Sequence, residues 1–211
     1  MRTEELIRAL AADAARPPVP LNRYLAMALV GGVVLSAVLF LITLHARPDV
    51  AAGDWTAAFC FKLIVTLALA GTSAALLSDV ARPMPGLRYR VVLVLAPVLL
   101  IGGVLFELFT VPSGDWATRL VGHNAKHCLS LIPMLSVAPA ACLLFALRHG
   151  APARPGLAGA MAGLVAGAFG ASLYALTCPD DSALFVATWY TIAIAVVTAV
   201  SSFIGARVLR W

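Results

Sequence analysis

Residues 156–176 read Gly-Leu-Ala-Gly-Ala-Met-Ala-Gly-Leu-Val-Ala-Gly-Ala-Phe-Gly-Ala-Ser-Leu-Tyr-Ala-Leu, a run without one charged side chain. A helix rising about 1.5 Å per residue needs about 20 such residues to cross roughly 30 Å of hydrocarbon. Backbone polar groups in lipid must be satisfied within the segment, so the run reads as a helix and not as an open strand. Gly159, Gly163 and Gly167 recur every fourth residue and give that helix one small-residue face, where another backbone can approach closely. The face is expected to pack inside the monomer; a dimer seam is the other reading.

Outward from this run, similar stretches occupy 24–44, 55–78, 91–111, 125–147 and 183–206. The expected fold is all-α: a polytopic membrane protein with six transmembrane helices arranged as three consecutive hairpins. Composition agrees, with 62% hydrophobic and 12% charged residues, where a soluble domain carries roughly 25% charged. The first apolar run is too long for a signal-peptide core, so no secretory signal is expected. A net charge of +5 would suit nucleic acid, but the arginines stand in small groups beside the spans, where topology accounts for them.

Arg2, Arg8, Arg16 and Arg23 precede the first span. Arg82, Arg88 and Arg90 lie in the 79–90 loop, Arg148 and Arg154 in the 148–155 loop, and Arg207 and Arg210 at the end. The opposite side carries Arg47, Arg119 and Lys126. Basic residues stay cytoplasmic, so both termini are expected inside, with Trp55 and Trp116 at the outer interface and Trp211 at the inner one. Ala-Arg-Pro recurs at 15–17, 81–83 and 153–155, and Gly-Asp-Trp at 53–55 and 114–116. Duplication of a hairpin and convergent punctuation both account for these repeats.

Two domains are expected, a cytoplasmic tail over 1–23 and a transmembrane domain over 24–211. Residues 3–15 of the tail suit a short amphipathic helix. Thr3 can cap it, Glu4 and Glu5 favour its positive end, and Pro17, Pro18 and Pro20 terminate it. Leu6, Ile7, Leu10 and Ala14 form its apolar stripe. Such a helix either lies on the membrane surface or docks into a groove on a soluble partner.

The outward side concentrates the polar chemistry. Cys128 falls in the first turn of its span beside Lys126 and His127, where the helix end and a cation favour thiolate, so it is expected to be more reactive than average. Cys178 lies in the short outer segment Thr177-Cys178-Pro179-Asp180-Asp181 at the same face. Two thiols there can form a disulfide or bind a soft metal. His127, and His123 at i, i+4 spacing, are further candidate ligands, with ordinary polar edge residues as the alternative. Asp180 and Asp181 are candidate polar support. Cys60 and Cys142 are expected to be packed. Lys62 and Glu107 sit inside spans, both roughly 6–9 Å below the outer surface; intramembrane charges find partners, so they are expected to pair with each other.

These residues together resemble the negative-regulator-of-sigma-F family of bacterial membrane anti-sigma factors. The resemblance rests on Thr3-Glu4-Glu5-Leu6-Ile7 with Leu10 and Asp13, the Arg-Pro-Pro-Val-Pro-Leu stretch at 16–21, and His127-Cys128-Leu129 with Ile132-Pro133. Cys178-Pro179-Asp180-Asp181-Ser182, Phe185 and Trp189-Tyr190 complete it. It implies a protein of the inner membrane that holds an extracytoplasmic-function (ECF) sigma factor inactive, without catalysis or an obligatory cofactor. It also implies that paired outer cysteines, here Cys128 and Cys178, sense heavy metal or oxidant. The tail residues Glu4, Glu5, Leu6, Ile7, Leu10 and Asp13 are the candidate sigma-binding set. Two rival classes are a membrane thiol oxidoreductase, disfavoured by the lack of Cys-x-x-Cys, and a small metal or solute transporter. The transporter is disfavoured because Lys62 and Glu107 share one depth and no charge lies deeper.

Overall fold

The computed structural model describes residues 3–5, 21–80, 92–150 and 152–209. Among them the regular structure is entirely helical, without a strand. In chain order the elements are α1 (Leu21–Thr43), α2 (Pro48–Ala52), α3 (Ala57–Val80), α4 (Leu95–Thr110), α5 (Trp116–Val121), α6 (Ala125–Leu147), α7 (Pro155–Ala175) and α8 (Ala183–Val208). A 3-10 turn, Val92–Val94, leads into α4, and a π-helical turn, Val186–Tyr190, lies near the start of α8.

Helices α1, α3, α6, α7 and α8 are long and apolar enough to cross a membrane. The expected sixth crossing is represented by α4, which at 16 residues falls short of that length. Its end has a local cause. Val111 precedes Pro112, a position that disfavours the helical backbone, and is extended with φ −106° and ψ 135°.

The bundle is built around α7, its most enclosed helix, which packs on α8, α6 and α3. The seam with α8 uses the small-residue face. A methyl on Gly159 would lie 2.9 Å from Gly205 Cα, and one on Gly163 would lie 2.6 Å from Ser201 Cβ. One on Gly167 would lie 3.2 Å from Ile194 Cγ2. That face is therefore filled from within the chain.

Consecutive helices do not all form packed hairpins. Helix α1 has α6, not α3, as its main partner, because its small residues face that way. A methyl on Gly32 would come 2.5 Å from Pro139 Cα, and the Ser36 hydroxyl donates to Leu135 O at 2.6 Å.

Buried apolar residues form two clusters. One gathers Leu76, Leu143, Leu147, Met161, Val165 and Leu209. The other gathers Cys128, Ile132, Tyr174, Cys178, Phe185 and Tyr190. The connections between α1 and α3, α4 and α6, and α7 and α8 meet at the second cluster. Both Gly-Asp-Trp segments make the same local bond there: Trp55 Nε1 donates to Val50 O at 3.2 Å and Trp116 Nε1 to Val111 O at 3.1 Å.

Candidate functional site

Helix α7 unwinds at its end, where the Cys178 amide still bonds back to Tyr174 O at 3.1 Å. Pro179 then prevents further helix. The next three residues, Asp180, Asp181 and Ser182, each tie this turn to a different part of the bundle.

Asp180 holds the start of α6. Its Oδ2 accepts the backbone amides of His123 at 3.1 Å and Asn124 at 2.9 Å, and the Asn124 side chain at 3.0 Å. Burial alone would raise the Asp180 pKa, but these donors outweigh it and hold the carboxyl below its ordinary value. Gly122 makes the approach feasible. Its φ is +56°, and a methyl there would meet the Phe185 ring at 2.5 Å and Asp180 Cγ at 3.0 Å.

Asp181 holds α3 and the segment after α1. Its Oδ1 lies 2.5 Å from Lys62 Nζ and its Oδ2 2.9 Å from Arg47 Nη2. Lys62, fully buried, also donates to Cys178 O at 2.8 Å and Asp180 O at 3.4 Å. Arg47 Nη1 donates to Cys178 O at 3.1 Å, and the Arg47 amide to Leu176 O at 3.1 Å. The buried Phe59 ring lies 5.2 Å from the guanidinium and 5.9 Å from the ammonium, within cation–π range of both.

Ser182 holds α4 by donating to Glu107 Oε1 at 2.8 Å. Glu107 also accepts the Leu184 amide at 3.1 Å and Arg119 Nη1 at 3.1 Å. The expected Lys62–Glu107 pair is thus replaced by two separate ion pairs, Lys62–Asp181 and Glu107–Arg119. Equal depth on two helices did not mean facing directions; the polar turn after α7 and the segment before α6 supply closer partners.

Cys128 and Cys178 are both free thiols, 0% and 1% exposed, in one apolar cluster. The expectation of a Cys128 more reactive than average is corrected. Lys126 and His127 lie on the exposed side of α6 while Cys128 faces the core, and its apolar surroundings cover it from bulk solvent instead of activating it. The cation that does act on the Cys178 thiol is Lys62. At Cys178, burial pushes the thiol above its ordinary value, and Lys62 opposes the shift without reversing it. The Cys178 thiol points to Asp180 O at 3.9 Å. Tyr190 Oη is buried beside Cys178 without a well-formed hydrogen bond. Cys60 and Cys142 are half-buried.

Helix α6 begins at Ala125, so His123 lies before it and the i, i+4 pairing with His127 does not form. His123 instead sits 3.6 Å from Asp180 Oδ1 with an 88% exposed side chain. Among the described residues, no three His, Cys, Asp or Glu side chains are grouped to hold a metal ion. A depression of about 200 Å³ over Gly122, His123, Pro179 and Asp180 adjoins the turn from outside. A cavity of about 740 Å³ between α3 and α4 reaches Glu107, Arg119 and Asp181 from the side.

Arg47 and Arg119 are the site residues that sequence reasoning passed over. They carried a signal, being the two arginines on the side otherwise poor in them. In the tail, residues 3–5 are helical with Glu4 and Glu5 exposed. Leu6, Ile7, Leu10 and Asp13, like Arg82, Arg88 and Arg90, lie outside the described residues.

A family model described as "Negative regulator of sigma F" matches residues 10–211. The anti-sigma-F factor NrsF of Caulobacter vibrioides is 36% identical over 218 residues, covering all of both chains. The probable anti-sigma-F factor NrsF of Azospira oryzae is 34% identical over 214 residues, again covering all of both. No solved structure matches. On a match of this extent, the chain belongs to the negative-regulator-of-sigma-F family.

Proposed function

We propose that this protein is a membrane-bound anti-sigma factor that sequesters an ECF sigma factor and releases it when Cys128 and Cys178 sense heavy metal or oxidant. The supporting observation is that both thiols share one buried cluster in a chain whose relatives are named anti-sigma-F factors. In this reading both termini are cytoplasmic, the turn after α7 faces the periplasm, and α4 with its leading 3-10 turn makes a short sixth crossing of a bacterial inner membrane. The arginine distribution supports that orientation. Residues 1–23 bind the sigma factor, using Glu4, Glu5, Leu6, Ile7, Leu10 and Asp13, and the remainder senses.

A peroxide converts the two thiols to one disulfide, taking both thiol hydrogens and leaving as two molecules of water or as water and an alcohol. A soft divalent ion instead replaces the two thiol protons. Either bridge joins the first turn of α6 to the end of α7, and packed helices transmit such shifts as units. A hundredfold loss of sigma affinity needs only about 2.7 kcal/mol, comparable with the roughly 2–4 kcal/mol of a disulfide.

Two experiments test the reading. A sigma factor should co-purify with the full chain and be lost when residues 1–20 are removed. Cys128→Ser and Cys178→Ser should each keep repression and abolish induction by metal or peroxide. Induction surviving in both variants refutes the thiol switch.

A further inference from the structure

Lys62 takes no part in the proposed bridging of the thiols, yet it is the most deeply buried charge among the described residues. Burying an ammonium costs several kcal/mol unless partners replace its water. All three of its partners belong to the turn that carries Cys178: Cys178 O at 2.8 Å, Asp181 Oδ1 at 2.5 Å and Asp180 O at 3.4 Å. Both of its hydrogen bonds to other segments and its ion pair therefore go to this one turn. Cys178 Sγ points to the same Asp180 oxygen at 3.9 Å.

We propose that Lys62 is the positioning residue of the thiol pair, fixing the backbone of Cys178 so that its sulfur stays sealed beside Cys128. The proposal rests on the thiol-switch reading for its biological meaning, though not for its test. Its division of labour follows from the geometry. Asp180 fixes the start of α6, and with it Cys128, whose amide bonds to Asn124 O at 2.8 Å. Lys62 fixes the other thiol from α3. A disulfide requires Cβ atoms about 3.8 Å apart and a narrow dihedral range, so a turn held at three points favours bridging while a loose one does not. The same contacts keep Cys178 covered below the shallow depression at Pro179 and Asp180.

The test uses the full chain in native membranes with Cys60 and Cys142 changed to Ser. Bridging of Cys128 to Cys178 is followed with diamide, and exposure of Cys178 with a membrane-impermeant maleimide. Lys62→Met keeps the unbranched stem of the side chain and leaves Asp181 its Arg47 partner. It should slow bridging and speed labelling, each by about tenfold or more, given the geometric demands of the bond. Lys62→Arg, which keeps a donating cation, should stay within about threefold of the parent. Where Lys62→Met alone fails to fold, as judged by monodisperse elution in detergent, Lys62→Met with Asp181→Asn removes both charges and is read the same way. Parental bridging and labelling in the folded methionine variant overturn the proposal, as does equal loss in the methionine and arginine variants. Neither readout involves a sigma factor, so failure here is distinct from failure of sigma binding or release.

Discussion

Lys62 Nζ and Asp181 Oδ1 lie 2.5 Å apart, with the lysine side chain 0% and the aspartate side chain 16% exposed. The pair is asymmetric in its alternatives. Asp181 retains Arg47 at 2.9 Å if Lys62 is lost, whereas Lys62 without Asp181 keeps only neutral carbonyl partners.

Asp181→Ala should therefore be the more damaging single change, costing about 3–5 kcal/mol as expected for an uncompensated buried charge. Lys62→Met should cost less, and the double variant should be more stable than Asp181→Ala alone. Denaturant or thermal unfolding in detergent reads this order directly. Additive losses would show that the two residues act independently.

Glu107 makes three kinds of bond, and substitutions separate them. Glu107→Gln keeps an oxygen for Ser182 and the Leu184 amide and loses mainly the charge facing Arg119. Because Arg119 is 47% exposed, that pair is worth at most about 1 kcal/mol. Glu107→Ala strands a buried amide and should cost about 1–3 kcal/mol. The expected thermal stability order is parent, then Gln, then Ala.

Two glycine substitutions of identical chemistry should diverge. A methyl on Gly159 runs into the Ser201 carbonyl and Gly205 Cα, both backbone atoms, whereas one on Gly71 meets nothing within 4 Å. Gly159→Ala should destabilise by about 1–3 kcal/mol through overpacking. Gly71→Ala should be neutral or slightly stabilising, as expected for alanine inside a helix. Paired melts of the two variants check this.

Acid should loosen the turn through Asp180. Its folded pKa lies below the ordinary value of 3.8 because the Asn124 and His123 donors outweigh burial. The carboxylate's contribution is thus fully present above about pH 4 and is lost as pH falls through the depressed folded value. Asp180→Asn should flatten the acid limb of a stability–pH profile while leaving the neutral region lower than the parent. An unchanged acid limb would place the titration elsewhere.

Helix positions were legible in the sequence because lipid imposes a length and a polarity on each span. The start of α6 at 125 and of α8 at 183 follows from composition alone. Facing was not legible. Lys62 and Glu107 share a depth, and depth is all a hydropathy pattern encodes; the direction each points depends on how α3 and α4 turn about their axes. The reactive reading of Cys128 failed similarly, since Lys126 and His127 are exposed while the thiol next to them faces the core. The packing of α1 on α6 depends on Gly32 and Ser36, small residues whose partner no local pattern names. The turn Cys178–Ser182 was visible as a dense polar motif, but its assignment of one residue to each neighbouring element required the fold.

The glycine and alanine seam between α7 and α8 has a mechanical consequence. On the α7 side, glycine and alanine have no rotamers to lose on burial, so that side packs with almost no side-chain entropy cost. That side therefore has fewer of the soft degrees of freedom by which leucine-lined contacts absorb a strain through rotamer changes. In the proposed switch, a displacement imposed at Cys178 would meet little give along this line of contact. Low compliance would suit α7 to carry that displacement along its length, with the segment at 152–155 as the place where it would emerge.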